Sequence, residues 1–87
     1  MAKKVRGLTK SLHSPDHQAL CNLLIAARQK AGLTQQTVAK RLKRPQSFVA
    51  KVEGGERRLD ILEYLDLLEA IEGDPIRVLR SLIDKRS

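Results

Sequence analysis

The chain has no tryptophan, one phenylalanine and one tyrosine, so aromatics make up 2% of its 87 residues. Stacking platforms for single-stranded nucleic acid need repeated exposed rings, and two isolated rings at inward helical phases do not supply them. One cysteine, Cys21, excludes an internal disulfide and any CxxC metal signature. Three prolines and five glycines are few enough to leave long stretches free to be helical. Strand-favouring residues never alternate along the chain. No apolar run approaches the ~18 residues of a membrane span. The N-terminus is basic, but no apolar stretch follows it, so no secretory signal is visible. A soluble, cytoplasmic protein is expected.

What is present is leucine, isoleucine, valine and alanine in a 41% hydrophobic chain, with 31% charged residues and a net charge of +7. At this length one small domain is expected, and its core is modest. The charge is uneven. Residues 1–58 hold 13 Lys/Arg against 3 Asp/Glu, a balance of +10; residues 59–87 hold 4 against 7, a balance of −3. That asymmetry points to a polyanionic partner at one surface.

Residues 1–13, MAKKVRGLTKSLH, carry Lys3, Lys4, Arg6 and Lys10 without periodicity. They read as a flexible basic arm preceding a domain at 14–87. Ser14-Pro15 starts a first helix, with Asp16 at its positive end. Leu20, Leu23, Leu24, Ala27 and Ala31 recur at helical spacing, and Gly32 stands where a glycine would end it. Thr34 caps a second helix from about Gln35 to Leu42, with Val38, Ala39 and Leu42 inward. Lys43-Arg44 forms a turn. Pro45 opens a third helix running to about Glu53, and Gly54-Gly55 stops it. Asp60 and Glu63 have capping-box spacing for a fourth helix with Ile61, Tyr64, Leu65, Leu68 and Ile71 on one face. Gly73 ends that helix. Asp74-Pro75 begins a fifth, with Ile76, Leu79, Leu82 and Ile83. The expected fold class is all-α.

The third helix is the informative one. At ~100° per residue, Phe48, Val49 and Val52 point one way, and Gln46, Ser47, Ala50 and Lys51 point the other. The first set suits a core and the second a DNA groove. Gln46 can pair with adenine through two hydrogen bonds, Lys51 can donate to guanine, and Ser47 can reach a base or a phosphate. Ala50 lets the backbone approach.

Catalytic chemistry finds no support. There is no Ser-His-Asp arrangement and no HxE metal motif, and Gly54-Gly55 is not a phosphate loop because no GK[ST] follows. His17 and Cys21, four apart on the first helix, are two ligands where structural zinc takes four. No metal and no cofactor are expected. The acidic residues Glu63, Asp66, Glu69 and Glu72 have the spacing of a solvated outer face.

The segments ARQKAGLTQQTVAKRL and RPQSFVAKVEGGERRLD, with the capped apolar helix after them, resemble the Xre-type, phage-repressor and Cro-like helix-turn-helix family over about Leu24 to Asp74. The resemblance implies a five-helix lambda-repressor-like domain and a non-enzymatic transcriptional regulator, a repressor, in the cytoplasm of a bacterium or of phage origin. It would bind a pseudo-palindromic double-stranded DNA operator as a homodimer. Gln46, Ser47 and Lys51 would contact bases. Gln35, Lys40, Lys43, Arg44, Arg57 and Arg58 would contact backbone. Arg28 and Glu53 fall on a pair of positions that in some members form an ion pair, and neither has an opposite charge at helical spacing within its own helix. The family usually has glycine where Lys43 stands. An antitoxin or controller of a self-regulated operon, and a protein-interaction adaptor of the same fold, are the alternative functions.

Overall fold

A computed structural model describes residues 14–86. The basic arm at 1–13 lies outside the described residues. Five helices follow in order: α1 (Pro15–Lys30), α2 (Gln35–Leu42), α3 (Gln46–Glu53), α4 (Ile61–Ala70) and α5 (Pro75–Arg86). No strand occurs among the described residues.

Each helix begins where the sequence supplies an acceptor for its orphan amides, with α3 the exception. Ser14 accepts from the His17 N–H at 3.1 Å, and Thr34 from Thr37 at 3.1 Å. Asp60 and Glu63 close a reciprocal capping box: the Glu63 N–H donates to Asp60 Oδ1 at 2.7 Å and the Asp60 N–H to Glu63 Oε1 at 3.0 Å. Asp74 Oδ1 accepts from the Ile76 and Arg77 amides. Helix α3 has no side-chain cap; Pro45 is its N-cap with ψ 152°, so the helix proper starts at Gln46 and not at Pro45. The extended ψ turns the chain between α2 and α3, and the Pro45 carbonyl still accepts the first helical bond, from Phe48 at 3.0 Å.

The first four helices end alike. In each, one residue turns left-handed, its N–H bonds back three residues and the next N–H bonds back five, the pattern of a Schellman motif. At Gly32 and Gly55 the left-handed residue is glycine (φ 74° and 82°); at Lys43 and Glu72 it is not (φ 58° and 59°). The paired bonds are Lys43 N to Lys40 O with Arg44 N to Ala39 O, and Glu72 N to Glu69 O with Gly73 N to Leu68 O. The stop of α4 expected at Gly73 therefore falls on Glu72. Gly73 serves a different need: a Cβ there would stand 2.9 Å from Leu68 Cδ1. A left-handed conformation costs a lysine about 1–2 kcal/mol. Lys43→Gly is expected to raise stability by about 0.5–1 kcal/mol, the relief less the glycine's extra unfolded-state entropy. For a domain of this size that is a rise of roughly 2–8 °C in the unfolding midpoint. A calorimetric scan showing no rise would mean that the local bonds of Lys43 remove the strain.

The core is formed by Leu24, Val38, Ala39, Val49, Val52, Tyr64, Leu67, Leu68, Ala70, Ile71 and Val78. Helix α1 packs on α3 and α5, and α2 on α3 and α4. Ala39, the small residue of α2, is buried in this core. The inward face of α4 is Tyr64, Leu67, Leu68 and Ile71; the expected Ile61 and Leu65 are exposed. Apolar residues occur almost all round α4, so its sequence fits more than one facing. Helix α5 turns Val78 inward, with Leu79 and Leu82 half-buried, while Ile76 and Ile83, one heptad apart, stand outside. Tyr64 joins the two helices by donating its hydroxyl to the Pro75 carbonyl at 2.8 Å. Burial pushes that phenol's pKa up.

Candidate nucleic-acid interface

Helices α2 and α3 are each eight residues long and joined by a turn of three, Lys43-Arg44-Pro45. On α3, Val49, Val52 and Glu53 are buried, Phe48 is half-buried, and Gln46, Ser47, Ala50 and Lys51 are exposed. The four exposed residues form one face. Lys40, Lys43, Arg44 and Arg58 are also exposed, and Arg57 is half-buried. A groove lined by Gln36, Thr37, Lys40, Arg44 and Gln46 runs between the two helices.

Beneath this face lies a polar network. Arg28 Nε donates to Glu53 Oε2 at 2.6 Å and Arg28 Nη2 to Glu53 Oε1 at 3.1 Å, a two-pronged pair between α1 and α3. Arg28 Nη1 donates to the Leu33 carbonyl at 2.7 Å, which ties in the α1–α2 loop. Gln35 Nε2 donates to Glu53 Oε1 at 2.9 Å, and Gln46 Nε2 donates to Gln35 Oε1 at 3.4 Å. Glu53 thus gathers three N–H donors from α1 and α2, with only 8% of its side chain exposed. No side-chain polar atom buried among the described residues lacks a partner. The two glutamines link the buried pair to the solvent face.

A second cluster lies where α3 meets the loop before α4. Arg57 donates two hydrogen bonds to Glu63, Nη1 to Oε1 at 3.0 Å and Nη2 to Oε2 at 2.9 Å. Arg44 Nη2 adds a contact to Glu63 Oε2 at 3.4 Å. Both guanidinium groups lie on the Phe48 ring, 4.4 and 4.7 Å from its centroid. The Arg57 bonds, followed by the Asp60 amide, hold the Glu63 carboxyl down at about 2. The acidic spacing places Glu63 on a solvated face, and the structure corrects this. Phe48, expected to face inward, is half-buried and packs against the core while its ring also meets the two guanidinium groups. Glu63 is a cap and an ion-pair acceptor at once, and only its first role leaves a spacing signal. Glu72 likewise pairs with Arg41, at 3.0 Å, and Arg41 also donates to the Ala70 carbonyl.

His17 and Cys21 are buried side by side, Nε2 and Sγ 3.9 Å apart, and Sγ stands 3.4 Å from the Val52 carbonyl. Desolvation raises the thiol's pKa. No group of three metal-ligating side chains occurs among the described residues. No helix among them is long and apolar enough to cross a membrane.

Two short helices at a tight turn, the second with a polar face outward and cations around it, define a helix-turn-helix DNA-binding domain. Known proteins agree. The family model for a helix-turn-helix domain matches residues 19–81. An Xre-family-like protein from Pseudomonas syringae pv. tomato is 46% identical, with 90% of this chain and 95% of that one covered at a TM-score of 0.81. The restriction-modification controller C.AhdI from Aeromonas hydrophila is 28% identical over 75% of this chain and 98% of that one, at 0.68. The controller C.Esp1396I, solved as a tetramer with its natural 35 base-pair operator, is 18% identical over 83% and 95%, at 0.74, and shares the fold. Among curated proteins there is no significant match. The chain belongs to the Xre-type helix-turn-helix family, and it is a DNA-binding transcriptional regulator.

Proposed function

We propose that the protein is a sequence-specific repressor that binds a pseudo-palindromic operator as a homodimer, in the cytoplasm of its bacterial or phage-carrying host. The observation that carries this reading is the exposed polar face of α3, seated on a buried ion pair and ringed by cations. Gln46, Ser47 and Lys51 read base edges in the major groove. Gln35, Lys40, Lys43, Arg44, Arg57 and Arg58 contact backbone and set the register. The Gln35 amide bridges Glu53 and Gln46, which restrains the side chain at this face. Likeness to the restriction-modification controller C.AhdI favours the controller alternative within this reading.

Dimerisation is supported by apolar side chains that the domain leaves outside. Ile61 is 61% exposed, Leu62 69% and Ile76 64%. Such groups on a small domain suit a second copy. A two-fold would set the recognition helices about 34 Å apart, one turn of DNA.

Selection of bound sequences from a random duplex library tests this reading. A pseudo-palindromic consensus supports it; uniform weak binding would instead indicate a protein-interaction adaptor of the same fold. Arg57→Ala is expected to weaken all duplexes alike and to reduce the slope of log K against log salt by about one. A loss confined to one sequence would contradict the backbone role.

A further inference from the structure

Arg57 has five N–H donors, as every guanidinium does. Nη1 uses two, on Glu63 Oε1 and on the Arg58 carbonyl at 2.8 Å, and Nη2 uses one, on Glu63 Oε2. Among the described residues, the donors that remain are Nε–H and the second Nη2–H. They share one edge of the plane. Arg57 Cζ stands over the Phe48 ring, 4.7 Å from its centroid, so the ring backs one side of the group. Arg44 approaches the same ring and the same carboxylate, so two cations share the Glu63 anion, and the Asp60 carboxylate also acts on Arg57.

We infer that this cluster is a preassembled site for one DNA backbone phosphate, with Glu63 and Phe48 as its positioning residues. The inference rests on the DNA-binding reading and adds to it the residues that aim the arginines. An arginine fork matches two phosphate oxygens. A free arginine on a loop must be ordered when DNA arrives, which weakens binding. Here the carboxylate fixes one edge of Arg57, the ring packs against the group, and the other edge is left to the phosphate. Arg57 and the Asp60 amide hold the Glu63 carboxyl at about 2, so it is ionised at neutral pH. The contacts that assemble the site are made without DNA.

The sign of one substitution decides the matter. Glu63→Gln keeps an acceptor for the Asp60 amide, so the capping box survives. It also makes the protein more positive. If Glu63 is only a nearby negative charge, the variant binds DNA more tightly. If Glu63 positions Arg57, it binds more weakly. The expected result, by fluorescence anisotropy on the selected operator, is roughly tenfold weaker binding, with a salt slope shallower by about one. The Arg57→Ala and Glu63→Gln double variant is expected to bind no more weakly than Arg57→Ala alone. Arg57→Lys retains the charge without the planar fork and is expected to lose roughly tenfold as well. Circular dichroism checks that each variant is folded, and Arg57→Lys decides if Glu63→Gln is not. Unchanged or tighter binding by Glu63→Gln, or full affinity in Arg57→Lys, would overturn the inference while leaving the DNA-binding reading intact. A wild-type protein that binds no duplex would overturn both.

Discussion

Arg28→Met is expected to cost about 3–5 kcal/mol of folding stability. The reason is what it leaves behind. Glu53 has 8% of its side chain exposed and receives two of its three N–H donors from Arg28. Without the guanidinium, the carboxylate keeps only Gln35 and has little access to water. Glu53→Gln strands the opposite charge on Arg28, whose side chain is 14% exposed and whose other acceptor is the Leu33 carbonyl. A surface pair would contribute only ~0–1 kcal/mol, so the two cases are well separated. Marginal stability of roughly 0.05–0.15 kcal/mol per residue puts the whole domain at about 4–13 kcal/mol, so a loss of this size is a large share of it. Urea unfolding of both single variants and of the double variant measures the coupling. The double variant is expected to be more stable than the two losses summed, because it removes both charges together. A coupling energy indistinguishable from zero would mean that Phe48, Val49 and Val52 hold the recognition helix without the pair.

The helices of this protein are written into local chemistry, and that is why they can be read from sequence. Ser14, Thr34, Asp60 and Asp74 act within three residues of themselves, so their spacing is visible in the chain. The exposed face of α3 follows from helical period alone. Other features depend on what lies across the fold. Which side of α4 faces inward is set by its neighbours, and with apolar residues almost all round it the pattern fits Leu65 as well as Leu67. At the end of α4, Glu72 takes the left-handed position although Gly73 is beside it, because Gly73 is needed where Leu68 comes closest. Phe48 has the phase of a core residue, yet its ring meets two guanidinium groups contributed by the turn before α3 and the loop after it. The reach from Arg57 to Glu63 spans a loop whose path no periodicity describes. Gln35 illustrates the same limit: its link to Glu53 crosses 18 residues and depends on how α2 crosses α3.

Gln46→Ala is expected to lower discrimination at one operator position by ~1–3 kcal/mol, while leaving affinity for unrelated duplexes nearly unchanged. Gln46 is the first residue of α3, where a recognition helix enters the groove, and it is exposed. Its amide nitrogen leans on Gln35 Oε1 at 3.4 Å. Gln35 is in turn fixed by Glu53, so the orientation of Gln46 is inherited from the buried pair. A glutamine amide held this way offers one donor and one acceptor to adenine, the pattern that distinguishes it from the other bases in the major groove. Alanine removes both groups but no charge. The salt dependence should therefore stay where it was, in contrast to Arg57→Ala. Gln35→Ala gives an intermediate case: the reading side chain is present but less restrained, so discrimination at the same position should fall by less than in Gln46→Ala. Binding to a set of operators altered one base pair at a time separates these outcomes. If Gln46→Ala preserved the preference at every position, Gln46 would have no reading role, and specificity would rest on Ser47 and Lys51.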